Sequence, residues 1–147
     1  MRLDALPGAP HLTYCTNIHA GESWPDINAS LAHHLPRIKA KVGADQPFGV
    51  GLRLSGIAAA ALIEPDVLGR VQAMLRAHDS YVFTLNAFPY GPFHGTRVKA
   101  EVYQPDWTTP ERLRFTNLAA DILALLLPDG LTGSVSTVPG TFKPLAE

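Results

Sequence analysis

Side chains able to move protons, recognise hydroxyls or hold anions recur in this chain just after segments that read as strands. His19 and Glu22, with Asn17, follow the first such segment. They could bind a polyol or contribute a ligand to a divalent metal. A loop whose His and Glu only cap the next helix explains the same residues, because short motifs carry little information. Arg53 interrupts an apolar run, where a charge is costly unless it is paired or at the mouth of a sheet. Its planar fork could hold a carboxylate or phosphate, and an ion pair with a carboxylate on a neighbouring loop is the structural alternative.

Asn86 ends another strand and offers both a donor and an acceptor, which suits a sugar hydroxyl. Beyond it Phe88, Tyr90 and Phe93 present faces that could stack on a ring, and Pro89, Gly91 and Pro92 stiffen the segment. His94, followed by Gly95, is the best candidate for a general acid/base or a ligand, although a lone loop histidine is more often structural. Arg97 and Lys99 could neutralise an anionic substrate, solvated surface charges being the commoner outcome. Lys143 follows the last strand, which Thr137 also flanks, and could reach a phosphate. Ser55 reads as a helix cap, since no Gly-x-Ser-x-Gly elbow surrounds it. Asp106 reads as a cap and Trp107 as a packing anchor. His33, His34 and His78 fall on helices away from the expected ligand face, and Cys15 reads as a buried strand residue with no base beside it.

The elements that must position these residues follow from pattern. His11–Ile18, Phe48–Leu54, Tyr81–Leu85 and Gly133–Val138 are rich in strand formers; the glycines of the second imply close backbone approach or a barrel bend. Ser23 caps a helix starting at Trp24 or Pro25, with Ile27, Leu31, His34, Leu35 and Ile38 as its apolar stripe and Pro36 expected to break or kink it. Residues 56–63 are helical, and Glu64-Pro65-Asp66 restarts a helix striped by Val67, Leu68, Val71, Met74 and Leu75. Thr108-Thr109-Pro110-Glu111 opens a last helix, with Thr108 as cap and Glu111 three residues on, running to about Leu127. The irregular stretch of residues 86–107 is long for a compact domain, and such loops are usually binding loops or lids. Strands alternating with helices imply right-handed crossovers and a parallel α/β sheet. Every chemically interesting stretch then follows a strand, so the candidates gather at the C-terminal strand ends, the ligand face of such folds.

At 147 residues, with 46% hydrophobic content and a net charge of −1, the chain has the size and composition of one soluble globular domain. Its 12 basic and 13 acidic residues give no footprint for nucleic acid or an anionic membrane. No secretory leader or membrane span is legible, and a single cysteine excludes an internal disulfide and points to a reducing, cytoplasmic setting.

The segments Leu12–Trp24, Phe48–Ser55, Phe83–Gly95, Val102–Trp107 and Ser134–Lys143 resemble the N-terminal portion of the metabolite traffic protein EboE family, a branch of the xylose-isomerase-like TIM barrels. The resemblance implies the first four strands of a barrel, a half-barrel fragment, because a full barrel has eight βα units in roughly 250 residues. It implies a missing C-terminal half that would carry most metal-binding carboxylates, so that this fragment alone is inactive, and open edges that invite a homodimer. It also implies traffic or processing of a small secondary metabolite. As an enzyme the full-length protein would be a divalent-metal-dependent isomerase or hydrolase, with Zn, Mn or Mg beside His94 and His19 and with Asn86, Tyr90, Phe93, Arg53, Glu22 and Lys143 on the substrate. The alternatives are a non-catalytic binding or carrier barrel and an apurinic-endonuclease-like hydrolase, the last disfavoured by charge.

Overall fold

Valine, leucine and phenylalanine alternate with glycine and threonine in the central strands, and the structure shows what each set faces. The computed structural model describes residues 1–92, 94 and 100–145. Strands β1 (Thr13–Cys15), β2 (Phe48–Arg53), β3 (Ser80–Asn86) and β4 (Ser134–Ser136) form one parallel sheet in the order β1-β2-β3-β4. Helices α1 (Trp24–Val42), α2 (Gly56–Leu62), α3 (Pro65–Ala77) and α4 (Pro110–Leu126) alternate with them. The expected α/β fold with parallel strands is therefore present.

Tyr14, Val50, Leu52, Val82 and Leu85 meet the apolar stripes of the helices in one core, to which α1 gives Ile27, Leu31 and Leu35, and α4 gives Phe115, Ala119 and Ile122. The other face is small and polar: Gly51 pairs with Cys15 and Thr84, Thr84 with Ser134, and Arg53 with Asn86. The register slips between Val50 and Gly51, so that Phe83 is the extra residue of a bulge. Gly49 fits there because a Cβ would stand 2.9 Å from the Phe83 ring.

Local chemistry sets the helix starts. Ser23 and Ser55 occupy N-caps, their hydroxyls accepting from the Asp26 and Ala58 amides, each cap contributing about 1 kcal/mol. Several boundaries depart from expectation. The first strand is only three residues long because Thr16–Ile18 coils into a 3-10 turn. α1 does not break at Pro36; buried Leu31, Leu35 and Lys39 on both sides hold it through the one lost hydrogen bond. Thr109, not Thr108, precedes α4 and makes no side-chain cap, its hydroxyl donating instead to the Asp106 carbonyl at 2.8 Å. The long stretch after β3 includes a second 3-10 turn, Ala100–Tyr103. No described helix is long and apolar enough to cross a membrane.

Candidate functional site at the C-terminal strand ends

Arg53, at the end of β2, is 2% exposed and organises this rim. Its terminal nitrogens donate to Glu22 Oε2 at 2.6 Å, to the Gly21 carbonyl at 2.8 Å and to the Gly91 carbonyl at 3.4 Å. One guanidinium thus ties the β1–α1 loop to the segment after β3. The Arg53 amide donates to Thr16 Oγ1 at 2.8 Å, and the Ser55 hydroxyl donates to the Glu22 carbonyl at 2.5 Å. Of the two roles open to Arg53, the ion pair is the one formed.

His94 crosses to the same place, its Nε2 lying 2.9 Å from the Asn17 carbonyl. That contact makes Nε2 the protonated nitrogen, since a carbonyl only accepts. His19 stacks on His34 with ring centroids 4.0 Å apart and planes 9° off parallel, and His33 meets His34 edge-on at 4.7 Å. His34 therefore does not lie away from the loop bearing His19, and its place in the apolar stripe was the available signal; His33 is exposed and pairs with Arg37. Burial first, then the charges of His34, His33 and His94, hold the His19 pKa below the usual histidine value. Tyr14, edge-on to His19, has its hydroxyl pushed up to about 12, mainly by burial. His19 Nε2 and Tyr14 Oη are buried without a hydrogen-bond partner among the described residues. A cavity of about 10 Å³ lined by Thr16, His19, Ser30 and Arg53 adjoins them, about the room one water occupies.

The remaining candidates divide. Asn86 is in register with Arg53 and Ser136, and its Oδ1 accepts from the Phe88 amide at 3.1 Å and the Ser136 hydroxyl at 3.2 Å. Tyr90 packs edge-on against Phe115 at 5.1 Å, and its ring lies over Gly56, so it sits among the helices. Lys143 is exposed at the start of a 3-10 turn. Phe88, Tyr103 and Phe142 form a half-buried aromatic group, Tyr103 and Phe142 stacked at 5.1 Å. Phe93, Arg97 and Lys99 lie outside the described residues.

Of two further residues that hold this rim, Arg112 escaped sequence reasoning and Asp106 was read only as a cap. Arg112, fully buried in α4, donates to the carbonyls of Pro105 (2.7 Å), Ala87 (2.9 Å) and Phe88 (3.2 Å). Its spacing with Phe115, Ala119 and Ile122 was the signal, an arginine on an apolar stripe. Asp106 accepts from the Thr108 amide and hydroxyl, Gln104 and Thr141, bonds that hold its pKa well below the usual carboxylate range. It ties the stretch before α4 to the loop after β4, rather than capping α4. Irregular backbone needs partners for its carbonyls, and Arg53 and Arg112 supply them.

Among the described residues no three His, Cys, Asp or Glu side chains converge as metal ligands. Glu22, the carboxylate nearest the histidines in sequence, is turned to Arg53, so the residues at this rim do not by themselves fit a metal centre. Comparison of the chain with protein-family models, curated proteins and solved structures finds no match.

Proposed function

We propose that the chain forms one wall of a small-molecule site at the strand C-terminal ends of a parallel βα barrel. The unreversed strand order and the helix-packed core on one face of the sheet support this: a doubly wound sheet reverses its order at a switch point, whereas a barrel wall does not. The particular reading is an EboE-like protein acting in traffic or processing of a small secondary metabolite. The observation that carries the site is the bridge from His94 to Asn17, which brings the segment after β3 against the loop bearing His19 and Glu22. Imidazoles, an asparagine and a half-buried aromatic group on the segments after the strands suit a polyol or sugar-like ligand with an apolar part.

Catalysis by the full-length protein would draw on a divalent Zn, Mn or Mg ion whose ligands come largely from elsewhere in it; His19 and His94 would then hold or relay protons. The Arg53–Glu22 pair favours the second reading, a carrier, because it commits the carboxylate to architecture. Elemental analysis of full-length protein with its His94→Ala variant, together with histidine-labelled NMR against a panel of polyols and sugar phosphates, separates them. Stoichiometric metal lost in the variant supports the enzyme; metal-free protein whose His19 and His94 signals move with a panel member supports the carrier. Neither response overturns the site.

A further inference from the structure

At the opposite rim, where strands begin, the chain leaves space. A cavity of about 440 Å³ lies between the residues preceding β1, β2 and β4 and the start of β3, within the range of roughly 300–1,000 Å³ usual for small-molecule sites. Its walls include Pro47, Tyr81, Pro128 and Leu131, with Arg2, Asp4, His11 and Gln46 as polar groups. His11 and Tyr81 are fixed to one another: Nδ1 and Oη are 2.7 Å apart and the rings meet edge-on at 84°. Phe83 backs His11 at 4.8 Å. Two rings at a right angle, already held by a hydrogen bond, present a rigid wall to a flat ligand at little entropic cost.

The polar end is defined by Arg2. Its Nε lies 2.9 Å from Asp4 Oδ1 in an ion pair whose side chains are 57% and 76% exposed. The terminal N–H groups of Arg2 make no hydrogen bond to a described residue, and a planar carboxylate matches them in pairs. Burial, followed by neighbouring positive charge, holds His11 below its ordinary pKa, so at neutral pH the ring is uncharged and Arg2 is the cation beside the cavity.

We infer that this rim carries a second binding site, for a small aromatic carboxylate whose ring packs against Tyr81, Pro128 and Leu131 and whose anion meets the Arg2 fork. The site shares no residue with the C-terminal rim.

Benzoate is the probe, with benzylamine as the control of opposite charge. Titration of the full chain, followed by amide NMR and calorimetry, shifts Tyr81, His11 and Leu131 with benzoate and leaves His19 and Arg53 unmoved. Arg2→Gln, an exposed position whose folding is checked by its spectrum, weakens benzoate roughly tenfold or more, the worth of a charge-assisted pair of hydrogen bonds. Leu131→Trp fills the cavity and abolishes binding. The inference is overturned by no shift at Tyr81 or Leu131 at roughly 10 mM benzoate, a concentration that would reveal even very weak binding. Equal binding of benzylamine, or unchanged affinity in Arg2→Gln, overturns it as well.

Discussion

At the C-terminal rim the polar side chains engage one another: Arg53 holds Glu22 and two loop carbonyls, Arg112 holds three carbonyls, and His94 holds Asn17. At the N-terminal rim His11 and Tyr81 border a cavity of about 440 Å³, and the Arg2–Asp4 pair is mostly exposed. The difference lies in the connections. Long irregular stretches run over the C-terminal strand ends and expose carbonyls that need donors, which draws buried arginines inward. The N-terminal ends are met by shorter turns that need fewer donors, and at one such corner Lys39 of α1 supplies them to the Gln46 and Asp79 carbonyls. Buried arginines therefore tie down the C-terminal rim, while at the N-terminal rim a buried cation, Lys39, fixes one corner and the side lined by His11 and Tyr81 keeps room.

The sharpest way to break this contrast is Arg53→Met, which removes the guanidinium from Glu22 and the Gly21 carbonyl. Its cost is expected at about 3–5 kcal/mol, as for other broken buried pairs, read from urea unfolding. A loss under roughly 1 kcal/mol, the scale of a surface pair, would mean that the C-terminal rim is not organised by this network.

A smaller effect comes from His34→Phe, which keeps a ring against His19 and removes a charge. Burial, the main cause of the lowered His19 pKa, stays, so the pKa rises only part of the way to its ordinary value. The sign follows from the depressed folded value: the neutral ring stabilises the fold fully above the unfolded pKa of about 6.5, and that contribution is lost as pH falls through the folded value. The variant therefore loses less stability than the wild type between about pH 7.5 and about pH 5.5. NMR titration of His19, with unfolding midpoints at both ends, checks this; an unmoved His19 titration would remove the histidine group from the account.

Arg2→Gln is expected to change stability by no more than about 0.5 kcal/mol, since an exposed pair is worth little. Thermal unfolding measures it. A large loss would make the N-terminal rim as dependent on charge as the other and erase the contrast.

Much of the fold was legible because local chemistry and periodicity agreed. Ser23 and Ser55 mark helix starts by residue type, the glycines of β2 mark close approach, and alternating strands and helices dictate parallel pairing whatever the packing. Residue type also placed Arg53 in an ion pair or at a mouth, and left both open. Tertiary structure alone chose Glu22 as its partner, turned Tyr90 onto Phe115 and brought His34 to His19. It also buried Arg112 under the loop before its helix. These outcomes depend on which distant backbone carbonyls and rings meet a side chain after the sheet closes. Propensity acts over a few neighbouring residues, so it determined where each strand and helix lies, while contacts between elements, 31 and 38 positions away for Arg53, decided what their polar ends do.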